Sequence, residues 1–195
     1  MIRALFTYPT EVPYEVNLIS NFIDDWDYLH LRKPDFSMEE LINFIEILPK
    51  KVHQKIILHD HYHLVSELGL GGMNINSRNK QQFSVNNKHL TVNGKSPGVM
   101  SYSAHKFEEI NALDFDPNYV LMSPIFDSIS KEGYASGFEH KDRLKTEIKK
   151  TPYPIVALGG VDDEKIETVK QLGFAGYAML GNVWNKHLKS APWEQ

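Results

Sequence analysis

The sequence predicts a compact (β/α)8 TIM barrel occupying a single domain, residues 1–195. Three observations predict it. Short apolar runs alternate with segments patterned at helical spacing, and strands separated by helices assemble into parallel sheets. The stretch TPYPIVALGGVDDEKIETVKQLGFAGYAMLGNVW, residues 151–184, contains two such runs flanking one helical segment, and each run stops at a glycine corner, Gly159-Gly160 and Gly181-Asn182. Finally, Tyr8-Pro9 follows the first run, where an open doubly wound sheet would carry a glycine-rich phosphate loop.

Residues 2–7 form the first strand, and Val16, Ile19, Phe22 and Ile23 put residues 14–25 on a helix. Residues 28–32 alternate Leu29 and Leu31 with Tyr28, His30 and Arg32, a second strand whose polar face carries an imidazole and a guanidinium; Pro34 ends it. Ser37 with Glu40 is a capping box opening a helix that lines up Leu41, Phe44, Ile45 and Leu48. Residues 55–58 are strand three, ending in His59-Asp60, and Leu64, Val65 and Leu68 mark a short helix closed by Gly69. After a short fourth strand, residues 72–75, regularity fails. Residues 76–97 have too few apolar positions at helical spacing, so helix 4 is expected to be degenerate or replaced by irregular chain, with a turn at Asn93-Gly94. Strand five (99–103), a helix (106–113), strand six (119–126), a Ser- and Gly-rich loop (127–137) expected to act as a lid, and a helix (141–150) lead into the 151–184 unit. Helix 8 is expected to be cut short, because only 13 residues follow Asn182.

Composition narrows the function. The chain has 195 residues, 42% of them hydrophobic, which is enough for one buried core and short for two. Twenty-five acids against 21 Lys plus Arg give a net charge of −4 without a basic block, so nucleic acid is not an expected partner. No cysteine is present, which excludes disulfides, thiolate nucleophiles and Cys-ligated zinc. The N-terminal apolar run is too short for a signal segment and no run reaches about 18 apolar residues, so a cytoplasmic protein without a membrane partner is expected.

In a barrel of this kind chemistry collects at strand C-termini. The groups there are Arg32, His59-Asp60, Asn79, Ser103 with His105, the segment from Ser128 through Ser130 to Lys131, Gly159-Gly160 and Gly181. Adjacent glycine corners expose backbone N–H groups to an anion and form a phosphate cup. Arg32 is a permanent cation able to grip a phosphate or carboxylate in a fork, and Lys131 can close over the same anion. Asp60 is a candidate hard-cation ligand, preferred over a three-imidazole site built from His59, His61 and His63. His105, at the start of a helix, is a candidate general acid or base, the helix dipole favouring its neutral form.

With these residues in view, the chain resembles the thiamine-phosphate synthase and thiazole tautomerase superfamily. The segments that carry the resemblance are LHLRKPDFS, IILHDHYHLVSELGLGGMNI, SYSAHKFEEI, YVLMSPIFDSISKEG and PIVALGGVDDEKIETVKQLGFAGYAMLGNVW. It implies a thiazole phosphate held by the backbone at Gly159, Gly160, Gly181 and Asn182, with Ser128 and Ser130 on that phosphate or on a pyrophosphate. The synthase branch ionises an aminopyrimidine pyrophosphate with Mg2+; Asp60, Arg32, Ser103 and Lys131 match its motif. Departures are the strand 2 lysine, which falls on Pro34, its glutamine on His30, the strand 3 asparagine on the substrate-site residue His59, and the second metal aspartate on Asn79. Lys33, Asp35 and Arg78 are candidates to restore the missing charge.

Those departures tilt the expectation toward the tautomerase branch, in which His105 moves a proton on a carboxylated thiazole phosphate and no metal is required. Its Ser103-Ala104-His105 and Lys131-Glu132-Gly133 segments resemble that branch. The synthase reaction, with Mg2+ on Asp60, is the alternative, and a non-catalytic thiazole-phosphate-binding barrel is a third reading. All three take a small-molecule ligand, and the expected assembly, if any, is a homodimer.

Overall fold

The computed structural model describes residues 1–86, 89–91, 96–126 and 141–189. Eight parallel strands close a barrel: β1 (Ile2–Phe6), β2 (Tyr28–Leu31), β3 (Ile56–Leu58), β4 (Gly72–Asn76), β5 (Val99–Ala104), β6 (Tyr119–Met122), β7 (Ile155–Ala157) and β8 (Gly176–Met179). Each pairs with its sequence neighbours, and β1 closes the circle on β8, with Ala4 beside Ala178. No helix among the described residues is long and apolar enough to cross a membrane.

Period-two alternation sorts the side chains into two layers. Leu5, Leu29, Leu31, Val120 and Met179 face outward into a core shared with the helices, whereas Ala4, Phe6, Tyr119, Leu121, Val156 and Ala178 fill the barrel interior. The polar face of β2 therefore points inward, and His30 is fully buried there.

The helices are α1 (Glu15–Phe22), α2 (Met38–Ile47), α3 (Lys50–His53), α4 (Leu64–Glu67), α5 (Phe107–Asn111), α6 (Lys141–Lys150), α7 (Ile166–Gln171) and α8 (Gly181–Lys189). The Ser37–Glu40 capping box forms as expected, Ser37 Oγ accepting from Glu40 N and Glu40 Oε2 from Ser37 N. Helix 4 of the barrel is replaced, where a degenerate helix or irregular chain is expected, by a 3-10 turn, Lys80–Gln82, and an antiparallel pair, Ser84–Asn86 with His89–Thr91. The turn expected at Asn93-Gly94 and the lid expected at residues 127–137 lie outside the described residues. The closing helix, expected to be short, runs nine residues as α8.

Helix α8 is set by Trp184. The indole is fully buried, its Nε1–H donates to Phe6 O at 2.7 Å, and Phe22 packs edge-on against it with ring centroids 5.5 Å apart. One buried hydrogen bond thus fixes the first turn of α8 against the end of β1.

Candidate active site

A cavity of about 780 Å³ opens at the C-terminal ends of the strands. Phe6 and Arg32 line it on the β1–β2 side, Ser123 follows β6, and Gly159, Gly160, Gly181 and Asn182 come from the turns after β7 and β8. The sequence-predicted arginine and both glycine corners therefore face one space.

Arg32 is placed by its backbone. Thr7, at the end of β1, accepts from Arg32 N at 2.9 Å and donates its hydroxyl to Arg32 O at 3.2 Å. The next residue, Lys33, does not restore missing charge at the cavity. Its ammonium is buried against Glu15 and donates to Thr10 O at 2.8 Å, so it anchors the loop that leads into α1. Burial pushes the Lys33 ammonium below and the Glu15 carboxyl above their ordinary ranges, and the pair opposes both shifts.

The glycines of the two corners differ. Gly159 has φ +88°, and a Cβ there would come within 2.9 Å of Pro124, so the turn after β7 requires glycine. A Cβ on Gly181 would meet nothing within 4 Å. What that corner offers is the N–H groups of the first turn of α8, at the positive end of the helix dipole. Asn182 donates to Asp163 Oδ2 at 3.3 Å, and Lys186, also lining the cavity, is ion-paired with the same oxygen.

Beneath the cavity the barrel interior holds a connected set of polar groups, of which the sequence singled out His59 and Ser103. Ser101 and Ser103 donate to Asn74 Oδ1 at 2.8 and 3.1 Å. The Asn74 amide then donates to His59 Nδ1 at 3.3 Å. His59 therefore carries its proton on Nε2 and gives it to His30 Nδ1 at 2.9 Å, and His30 gives its Nε2–H to Tyr119 Oη at 2.7 Å. Burial holds the His30 imidazole well below its ordinary range, and burial together with the Arg32 charge pushes His59 down to about 3. Both rings are neutral. His59, expected to touch substrate or phosphate, has both nitrogens engaged and no positive charge to offer an anion. Phe6 stacks on His30 with centroids 4.6 Å apart. Asn74 is the sequence signal for this network: an amide between Met73 and Ile75 in β4, 1% exposed.

His105 stands on the rim. Its Nδ1–H donates to Ser123 O at 2.8 Å, a residue of the cavity wall, which leaves Nε2 as the acceptor in the neutral ring. Asp60 is exposed; Oδ1 accepts from His61 N at 2.8 Å, and no hydrogen bond to Oδ2 comes from the described residues. Asn79 is spent: its carbonyl oxygen accepts from Asn76 N and its amide donates to Tyr62 Oη. No group of three or more His, Asp or Glu side chains that could hold a metal occurs among the described residues, which removes the three-imidazole reading. Ser128, Ser130 and Lys131 lie outside the described residues.

The sequence profile described as thiamine monophosphate synthase matches residues 16–183. A thiamine-phosphate synthase of Limosilactobacillus reuteri is 28% identical over 134 residues, 67% of this chain and 59% of that protein's length, so the match spans less than two thirds of the relative. The thiamine-phosphate synthase of Photorhabdus laumondii is 24% identical over 164 residues, covering 83% of this chain and 71% of that protein. Among solved structures, thiamine phosphate pyrophosphorylase from Bacteroides thetaiotaomicron superposes with a TM-score of 0.74 at 28% identity, over 95% of this chain and 86% of that one. The pyrophosphorylase from Pyrococcus furiosus, at 13% identity and a TM-score of 0.69, shares the fold.

Proposed function

This chain belongs to the thiamine monophosphate synthase family, and on that premise we propose that it holds a thiazole phosphate in the cavity and joins it to an aminopyrimidine pyrophosphate. The observation that carries the reading is the shared space: Arg32 and the two corners, Gly159-Gly160 and Gly181-Asn182, line one cavity. The names of the relatives support the joining reaction over the proton transfer that the sequence favoured.

In this reading the backbone N–H groups after β7 and in the first turn of α8 hold the thiazole phosphate, as helix ends and glycine turns hold anions generally. Arg32 grips the second anion with a forked pair of donors. The neutral network of His30, His59, Asn74 and Tyr119 forms a rigid floor that adds no competing charge. Magnesium, which the synthase resemblance implies, fits a sparse donor set: Asp60 presents one carboxylate oxygen, and Mg2+ is commonly held by one or two carboxylates together with substrate phosphates and water. When bound there, the ion would neutralise charge on a departing pyrophosphate.

One observation favours the proton-transfer reading as second. His105 is oriented by Ser123 O so that Nε2 is its acceptor, while Asn79 replaces a carboxylate and is tied to Tyr62. Incubating the purified protein with thiazole phosphate and aminopyrimidine pyrophosphate, with and without Mg2+, tests the main reading: thiamine phosphate forms only with metal. No product at saturating Mg2+ overturns it. Metal-independent turnover of a carboxylated thiazole phosphate, lost in His105→Ala, would establish the second.

A further inference from the structure

Resting on the phosphate site proposed above, we propose that Lys165 is a positioning residue for that site, acting through the peptide between Gly160 and Val161. Gly159 and Gly160 both lie in the left-handed region, at φ +88° and +65°, where backbone orientation is free to vary unless something ties it. Two ties are present. Gly159 O accepts from Phe126 N at 3.1 Å, and Gly160 O accepts from Lys165 Nζ at 2.8 Å.

In a planar trans peptide the carbonyl and the following N–H point in opposite directions. Drawing the two carbonyls toward Phe126 and Lys165 therefore turns the N–H groups of Gly160 and Val161 the other way, into the cavity that these residues line. Neither N–H donates to a group among the described residues. Two successive N–H groups converging on one space make a backbone nest for an anion.

Lys165 shapes this nest without lining the cavity. Its ammonium is held at Asp162 Oδ2, 2.5 Å away, and lies 5.6 Å from the centroid of the Phe126 ring. Its hydrogen bond replaces the conformational freedom of a glycine peptide with one orientation, and the benefit appears only when an anion meets Val161 N–H. Lys186 differs, being a cavity-lining cation in its own right.

The test is a titration of 15N-labelled protein with inorganic phosphate, followed by amide shifts and calorimetry. In the wild type the Gly160 and Val161 amide protons both move on binding. In Lys165→Met the Val161 response is lost, the Gly160 response persists because Phe126 still holds its peptide, and Kd rises about tenfold, the scale of one charge-assisted hydrogen bond. Lys165→Arg restores the Val161 response and brings Kd back to within about threefold of wild type. An unchanged Val161 response and affinity in Lys165→Met overturn the proposal, as does a loss that arginine fails to rescue. Should Lys165→Met fail to fold by circular dichroism, Asp162→Asn loosens the ammonium without deleting it: a weakened Val161 response supports the proposal and an unaltered one overturns it. Wild-type protein in which neither amide responds to phosphate overturns the phosphate site itself, an outcome separate from a defect confined to the variants.

Discussion

His30 Nδ1 and His59 Nε2 meet at 2.9 Å on the floor of the barrel, beneath Arg32, as two neutral rings sharing one proton between them. Protonating either ring would add a buried charge that no hydrogen bond to a carboxylate balances among the described residues. The unfolded chain has no such restriction and takes up protons near the ordinary imidazole value of 6.5. Below that pH the unfolded state binds more protons than the folded state, so stability is full above about pH 6.5 and declines as the pH falls. Between pH 7 and pH 5 one such histidine removes about 2 kcal/mol. Urea denaturation at both pH values should therefore show the wild type losing about 2 kcal/mol more than His30→Gln, which lacks that group; equal losses would refute a neutral His30.

The glycine corners should respond differently to the same substitution. Gly159→Ala places a methyl group 2.9 Å from Pro124 at a left-handed φ, so it should cost about 1–2 kcal/mol of stability and weaken thiazole phosphate binding. Gly181→Ala meets open space and should keep its melting temperature close to wild type. Thermal denaturation of the two variants checks both halves.

Lys33 and Glu15 form an ion pair whose side chains are 0% and 3% exposed, with Glu15 Oε1 lacking a hydrogen bond among the described residues. Lys33→Ala strands a carboxylate and should destabilise by about 3–5 kcal/mol, whereas the double variant Glu15→Leu with Lys33→Met should recover most of that loss. Chemical denaturation of the single and double variants decides it; a double variant as weak as the single would show that the pair stabilises the fold on balance.

Arg32→Met should raise the Kd for aminopyrimidine pyrophosphate by about tenfold or more, since charge-assisted hydrogen bonds are worth about 1.5–3 kcal/mol. Arg32→Lys should recover only part of it, because an ammonium cannot reproduce the fork. Calorimetric titration with the pyrophosphate reads both effects.

Asp60→Asn and His105→Ala separate the two reactions. Under the joining reaction, Asp60→Asn loses Mg2+-dependent product by tenfold or more, roughly the effect of one lost charge on a developing anion, while thiazole phosphate still binds. His105→Ala should retain that product. Product assays across a Mg2+ titration, paired with binding measurements, report the outcome.

The barrel was legible in the chain because its signals are local. Ser37 with Glu40 forms the capping box from sequence neighbours, Leu29 and Leu31 alternate with His30, and Gly159 must sit where a left-handed turn admits no Cβ. Periodicity, capping and backbone sterics act over a few residues, so sequence alone determined the strand order, the glycine corners and the placing of Arg32 at a strand end. It did not determine which polar groups spend themselves on one another. Asn79 could be read as a weakened metal ligand until the fold tied it to Tyr62, 17 positions away. Lys33 could be read as a spare cation until it met Glu15, and His59 as a substrate contact until its two nitrogens found His30 and Asn74. The pinning of Gly160 O by Lys165 was equally invisible, although they are only five positions apart. Hydrogen-bond partners depend on distances of a few tenths of an ångström between atoms on different elements, and only closing the barrel sets those distances.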